Sequence, residues 1–214
     1  MILHDAVVKL REAGEDMGTE DGALMYQYLP NNHVCQFSRG KCMGCEFGGR
    51  ISEVSTPEPF SACMRLENMY GAPLKSPKTR AAALGALNAA AGFLMLNRKT
   101  GPCNSVYFED CKAELIEFCA GKSIYIIGED IAGIAQTLMP EEAELILING
   151  EAFFEDSLVE EIEEVLALGL LYHLAYILDS RRYGREGVEG SVEGLGHNLC
   201  QGGLSHAWGT PQDE

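Results

Sequence analysis

The sequence predicts an α/β protein in which a small α+β domain precedes a Rossmann-like βαβ unit with a parallel sheet. Two observations support this prediction. Residues 1–103 alternate short apolar runs with glycine and proline turns and end in one long Ala-rich helix. Residues 104–182 alternate apolar runs of strand length with helical patterns, which is the order typical of βαβ units. We predict that the glycine-rich residues 183–214 form a C-terminal tail of loop or partly disordered chain.

The composition restricts the partners of the chain. Its 214 residues carry a formal net charge of −16, and no Lys or Arg occurs between Ser123 and Ser180. Such a surface repels phosphate, which argues against nucleic acid and against an anionic membrane as partners. We interpret the acidic residues as a solvated face, with attraction of cations or of a basic partner as the alternative.

The first residues predict an amphipathic helix that ends near Gly14, with Ala6, Val7 and Leu10 at helical spacing. They lack the apolar run of a signal peptide, so we expect a cytoplasmic protein with reduced thiols. The eight cysteines are then free, catalytic or metal-binding rather than a disulfide framework.

The N-terminal domain begins with several short elements. We predict strands or strand-like segments at Leu24–Leu29, His33–Phe37 and Ile51–Val54 (the last at a sheet edge), a glycine- and cysteine-rich loop at Gly40–Gly49, and a short helix or strand at Cys63–Tyr70.

One long helix follows, predicted from Ser76 to Leu96, with Ser76 as its cap and Pro77 in the first turn. It is apolar all round from Ala81, yet too short for the roughly 18–20 residues of a membrane span. We therefore predict a buried helix. A face of small residues would let another backbone approach it closely; these are Gly85, Ala89 and Gly92.

After a boundary near Cys103–Cys111 the pattern becomes regular. We predict helices at Asp110–Cys119, Asp130–Met139 and Ser157–Leu168, strands at Ser123–Ile127 and Glu144–Ile148, and a third strand or a further helix at Leu170–Leu178. A right-handed crossover in a parallel sheet is the expected connection.

The first candidate site is the cysteine-rich stretch. Cys42-x-x-Cys45 has the spacing of a zinc knuckle, in which two thiolates from a tight turn bind one metal ion. Cys35 and Cys63 would complete a site for zinc or an iron–sulfur cluster. Two alternatives remain open: ordinary thiols, and a dithiol redox pair in which Lys41 lowers a thiol pKa.

The second candidate site is the turn Gly128-Glu129-Asp130 after the first strand of the second domain. Ligands bind doubly wound folds at such strand ends. The G-x-G-x-x-G pattern is absent and two carboxylates oppose a phosphate, so a sugar hydroxyl, an amine or a cation fits better than a dinucleotide. Glu151, after the next strand, is a candidate for ribose hydroxyls. The alternative is that Asp130 caps a helix and Glu129 is solvated.

Two segments, Thr79–Ala89 and Gly121–Ile134, resemble a family labelled as heavy-metal chelation proteins. The resemblance lies in an Ala-rich helix with the pair Asn88-Ala89 and in Gly121-Lys122 before a strand and Gly128. It implies an N-terminal domain similar to that of enolase, a Rossmann-like C-terminal domain and a link to metals; the activity of the family is not established.

These observations lead to two main hypotheses. The first is a metal- or metallo-ligand-binding protein that uses the cysteine-rich loop and an interdomain cleft near Asn88 and Gly128. The second is an enzyme acting on a small molecule, with S-adenosylmethionine bound at the Rossmann-like site. A third alternative is an acidic scaffold that assembles through its tail. The sequence leaves open whether the chain is an enzyme and whether it forms a homo-oligomer.

Overall fold

The structure, a computed structural model, describes residues 2–32, 40–96, 108–129, 133–134, 136, 139–167 and 175–178. These residues contain five α-helices: α1 Ile2–Gly14, α2 Glu67–Tyr70, α3 Pro77–Phe93, α4 Phe108–Cys119 and α5 Asp156–Ala167. They also contain seven strands: β1 Ala23–Tyr28, β2 Lys41–Phe47, β3 Arg50–Thr56, β4 Ala62–Arg65, β5 Ile124–Ile127, β6 Leu145–Asn149 and β7 Ala175–Leu178. None of the helices in these ranges is long and apolar enough to cross a membrane.

The first four strands form an antiparallel sheet in the order β3-β2-β1-β4. β3 lies at an edge, as predicted, and the predicted segment Cys63–Tyr70 contains parts of both a strand, β4, and a helix, α2. The prediction of a loop at Gly40–Gly49 is wrong, because most of this segment forms the strand β2, which pairs with both β1 and β3. Only Gly48 and Gly49 turn the chain there, with φ of 56° and 80°, in a two-residue hairpin that needs positive φ at both positions. The strand predicted at His33–Phe37 lies outside the described residues.

Helix α3 packs against this sheet, and the predicted buried helix is confirmed, although it ends at Phe93 and not at Leu96. The Ser76 hydroxyl accepts a hydrogen bond from the Thr79 N–H (3.2 Å) and the Thr79 hydroxyl accepts one from the Ser76 N–H (3.1 Å), which closes a capping box. Every residue from Arg80 to Ala91 is buried. The predicted close approach occurs at Gly85, where an added Cβ would lie 2.9 Å from the Cβ of Cys45. It does not extend to Gly92, where an added Cβ would meet nothing within 4 Å.

The remaining strands form a parallel sheet in the order β5-β6-β7. The strands predicted at Ser123–Ile127 and Glu144–Ile148 are confirmed within one residue. The segment Leu170–Leu178, predicted as a strand or a helix, contains the strand β7. Along the chain, α5 connects the parallel strands β6 and β7. Most of the helix predicted at Asp130–Met139 lies outside the described residues; Gly133, Ile134 and Gln136, which are described, are not helical.

One hydrophobic core connects the two sheets. It includes residues of α1, α3 and the antiparallel sheet together with Ile127, Ile148 and Phe153 from the second half of the chain. The two-domain division at Cys103–Cys111 stays a prediction, as does the tail at 183–214, which lies outside the described residues.

Arg80 is a polar connection within this core. Its side chain is 3% exposed, and its Nε donates to the carbonyl oxygen of Phe153. Its Nη1 donates to the carbonyl oxygen of Leu74 (3.4 Å), and its Nη2 donates to Asp156 Oδ1 (2.6 Å). The guanidinium thus joins α3 to the start of α5 and satisfies backbone carbonyls that would otherwise lose water as partners.

We expect Arg80→Met to lower the free energy of unfolding by about 2–4 kcal/mol, because buried carbonyl oxygens lose their donor. Urea denaturation followed by circular dichroism measures the loss. Asp156→Asn is the matched control and should cost less, about 1–2 kcal/mol, because the amide oxygen can still accept from Arg80 although the buried guanidinium loses its counter-charge. Equal losses in the two variants would contradict a role for the buried carbonyl contacts.

We expect Gly85→Ala to destabilise the protein by about 1–3 kcal/mol, although alanine is the better helix former, because its Cβ would overlap that of Cys45. The control is Gly92→Ala in the same helix, where an added Cβ has no neighbour within 4 Å. This variant should be neutral or stabilising by up to about 1 kcal/mol. A Gly85→Ala variant with a higher free energy of unfolding in the same experiment would contradict this, because it would show that α3 can move away from β2 without loss of stability.

Candidate functional site

The carboxyl edge of the parallel sheet brings three predicted site residues together. Gly128 and Glu129 follow β5, and Glu151 follows β6, whose last residue is Asn149. The Glu129 N–H donates to Glu151 Oε1 with an N···O distance of 3.2 Å. The Asn149 side-chain amide donates to the Glu129 carbonyl oxygen at 3.3 Å. Parallel strands end at the same edge, which places these groups within reach of one ligand.

Gly128 is required for this arrangement. Its φ is +100°, which side-chain-bearing residues rarely adopt. A Cβ added there would lie 2.9 Å from the Cβ of Asn149, so a larger residue would push the two strand ends apart. The glycine therefore allows the close contact on which the Glu129–Glu151 hydrogen bond depends.

The edge is rich in hydrogen-bond acceptors and in negative charge. Asn149 is 3% exposed and positions the backbone, whereas Glu129 is exposed and Glu151 is half-buried. The sequence from Ser123 to Ser180 contains no Lys or Arg. Such a site suits a hydroxyl group, an amine or a cation and disfavours a phosphate.

The other two predicted members of this site are Asp130 and Asn88. Asp130 lies outside the described residues. Asn88 lies on α3, is 1% exposed, and has no hydrogen-bond partner among the described atoms for either its amide oxygen or its amide nitrogen. Gly128 lies against Asn149 and Ala152. The predicted cleft that joins Asn88 to Gly128 stays a prediction.

Sequence reasoning missed Asn149 and Arg80. Asn149 had a usable signal, since it is the polar residue that ends the apolar run LILI before a glycine. Arg80 had none, because a cation near the start of a helix is ordinarily solvated, and its burial is explained by tertiary contacts with Phe153 and Asp156.

The cysteines of β2 are arranged differently from a zinc knuckle. Cys42 and Cys45 are both buried and lie three positions apart in a strand, so their side chains project from opposite faces of the sheet. Cys45 pairs with Tyr26 and Ser52 on the face that contacts α3. A knuckle needs both thiolates on one side of a tight turn, and the extended backbone does not provide it.

Burial raises the pKa of the Cys45 thiol to about 12, although a hydrogen bond with Tyr26 acts in the opposite direction. Burial also raises the pKa of Tyr26 above its usual range. The Cys45 thiol is therefore protonated at neutral pH, which makes it a weaker nucleophile than a thiolate. Cys63 is exposed on β4, and Cys35 lies outside the described residues.

No group of three or more His, Cys, Asp or Glu side chains is arranged to hold a metal ion within the described part of the chain. The zinc or iron–sulfur site with Cys35 therefore stays a prediction. Comparisons of the chain with protein families, with curated proteins and with solved structures gave no match. The resemblance to the heavy-metal chelation family likewise stays a prediction.

We expect native protein at pH 8 to react with iodoacetamide at Cys63 at least about 100-fold faster than at Cys42 or Cys45, since burial requires opening of the fold before reaction. Trypsin separates these thiols into the peptides 51–65 and 42–50, and mass spectrometry measures each rate. Because the pKa of Cys45 is raised to about 12, the slow rate should persist up to about pH 10. Rapid labelling of peptide 42–50 in folded protein would contradict this assignment.

Proposed function

We propose that this protein binds a small polar molecule at the carboxyl edge of its parallel sheet, and that the ligand presents neighbouring hydroxyl groups or an amine. The observation that carries the proposal is the hydrogen bond from the Glu129 N–H to the Glu151 carboxylate, which holds an acidic side chain across the ends of β5 and β6. A carboxylate oriented in this way is the group that accepts hydrogen bonds from ribose hydroxyls in Rossmann-like folds.

S-adenosylmethionine is the first candidate ligand. It supplies a ribose for Glu151 and carries positive charge on its sulfonium and amine groups, which suits an edge with two carboxylates. It has no phosphate, in agreement with the absence of G-x-G-x-x-G after β5. If it is the ligand, the protein is a cytoplasmic enzyme that transfers a group from S-adenosylmethionine to a second substrate.

Metal or metallo-ligand binding through Cys35, Cys42, Cys45 and Cys63, with zinc or an iron–sulfur cluster, is the second proposal from the sequence. The geometry supports it less than the first, because Cys42 and Cys45 project from opposite faces of β2. The acidic edge at Glu129 offers an alternative contact for a cationic metal complex.

The two proposals predict different ligand responses in a thermal unfolding experiment. We expect S-adenosylmethionine to raise the melting temperature in a concentration-dependent manner and Zn²⁺ to leave it unchanged, since only a ligand that binds the folded state stabilises it. Glu151→Gln should remove most of the shift, because the neutral amide replaces the carboxylate that holds the ribose.

The control is Glu117→Gln, an exposed change of the same charge on α4, which should keep the full shift. A shift with Zn²⁺ alone, lost in a Cys42→Ser/Cys45→Ser variant, would favour the metal-binding proposal. A shift by S-adenosylmethionine that Glu151→Gln leaves intact would place the ligand elsewhere.

A further inference from the structure

A pocket separate from the carboxyl edge of the parallel sheet lies at one end of the antiparallel sheet. It has a volume of about 380 Å³ and is lined by the turn before β1, the start of β1, the end of β2 with its hairpin turn, and Phe93 at the end of α3. Phe47 and Phe93 form one wall, with their ring centroids 5.3 Å apart and their planes nearly perpendicular. Two glycines leave room for these rings, because a Cβ at Gly22 would overlap Phe47 and a Cβ at Gly48 would overlap Phe93.

Exposed apolar side chains are concentrated at this pocket. Of the eight large hydrophobic side chains that the described residues expose, three line it: Met17 is 61% exposed, Met25 46% and Phe93 40%. They come from three different elements of the chain, so the tertiary structure brings them together. Clustered exposed apolar surface is typical of binding sites, and methionine adapts its shape to different partners.

The rim of the pocket carries negative charge. Glu46 lines the pocket on β2, and the turn between α1 and β1 places the exposed residues Asp16, Glu20 and Asp21 next to lining residues in sequence. Asp21 is paired with Arg65 at 3.2 Å. Asp16, Glu20 and Glu46 form no ion pair within the described part of the chain, so their charge is available to a partner.

Positive charge beside the pocket is limited. Arg50, directly after the hairpin turn, is the only Lys or Arg next to a lining residue in sequence. Helix α3 has no basic residue in its last turn, so no cation of that turn offsets the partial negative charge of the helix end at Phe93. This end of the sheet therefore favours a cationic partner over an anionic one.

We propose that this pocket docks a basic peptide segment of another protein. One large apolar side chain of the segment enters the pocket between Met17, Met25 and Phe93, where it loses water-exposed surface. Lys or Arg residues on either side of it lie against Glu46 and Glu20. The docking site is independent of the carboxyl edge of the parallel sheet and of the function proposed there.

Other occupants fit the pocket less well. Phosphate-bearing partners, such as nucleic acid or an anionic membrane, would meet the carboxylates of the rim. A second copy of the chain carries the same formal net charge of −16, so the two copies would repel each other. A neutral apolar molecule could enter the pocket but would gain nothing from the charged rim.

Three labelled hexapeptides separate the apolar contact from the charge. Their sequences are KKLWKK, KKSSKK and EELWEE, and fluorescence anisotropy measures the Kd of each for the full chain. We expect KKLWKK to bind at least about tenfold more tightly than either of the others, because burial of its Leu and Trp side chains and attraction of its lysines both contribute. Raising the salt concentration from about 0.05 M to about 0.5 M should weaken KKLWKK and reduce its advantage over EELWEE.

Methionine oxidation locates the bound peptide. Dilute hydrogen peroxide oxidises exposed methionines to the sulfoxide, and trypsin releases Met17 and Met25 in peptide 12–39 and Met139 in peptide 123–181. We expect saturating KKLWKK to slow the oxidation of Met17 and Met25 at least about threefold, because susceptibility follows exposure. Met139, which is 52% exposed and does not line the pocket, should be oxidised at an unchanged rate. KKSSKK at the same concentration should protect none of them.

Two variants with matched controls test the named contacts, and thermal unfolding first confirms that each protein is folded. Met17→Ser should raise the Kd of KKLWKK about three- to tenfold, whereas Met139→Ser should leave it unchanged. Glu46→Gln should raise the Kd of KKLWKK about two- to fivefold and should not weaken EELWEE. Glu58→Gln, an exposed change of the same charge after β3, should leave both peptides unaffected.

Several outcomes would overturn the proposal. No measurable binding of KKLWKK, or equal affinity for KKLWKK and KKSSKK, would show that the pocket does not accept the apolar side chain of a basic segment. Equal affinity for KKLWKK and EELWEE would assign the pocket to an apolar ligand of any charge. Protection of Met139 equal to that of Met17 would reduce binding to the net charge of the protein. Dimerisation that Met17→Ser abolishes would assign the pocket to a second copy of the chain.

Discussion

The close packing of α3 against the antiparallel sheet is the constraint on which the other contacts depend. At Gly85 the helix lies so near β2 that a methyl group would overlap Cys45, and the Ser52 hydroxyl donates to the Gly85 carbonyl oxygen at 2.9 Å. The Tyr26 hydroxyl donates to the Ala82 carbonyl oxygen at 3.0 Å one turn earlier. Small residues on the helix thus allow polar contacts between helix and sheet in a region that excludes water, and such contacts must be satisfied to be tolerated there.

Other side chains of the same helix connect it to the second half of the chain. Arg80 donates to the carbonyl oxygen of Phe153 and to Asp156, so it links α3 to the connection between β6 and α5. That connection begins at Asn149 and Glu151, which form the candidate ligand edge with Glu129. The core therefore positions the edge through a short series of contacts that starts in α3. Preorganisation of this kind reduces the entropy that a ligand would otherwise lose on binding.

The candidate edge follows from an electrostatic property of the chain. The formal net charge of −16 includes Glu129 and Glu151, which lie at the ends of β5 and β6. Local potentials of this sign attract cations and repel phosphate. The expected ligand of the edge therefore carries hydroxyl groups or positive charge and no phosphate.

Local sequence was enough to determine the cap and burial of α3 and the strands β1, β5 and β6. It also placed Gly128, Glu129 and Glu151 after the ends of β5 and β6. Capping boxes, apolar periodicity and strand ends depend on neighbours in the chain. Local sequence did not determine the conformation around Cys42 and Cys45, because the same residues are compatible with a zinc knuckle and with an extended strand. Pairing with β1 and β3 selects the strand. The burial of Arg80 and the raised pKa of Cys45 were also decided only by the tertiary structure. Each depends on contacts between residues far apart in sequence, and those contacts require the strand register and the helix–sheet distance.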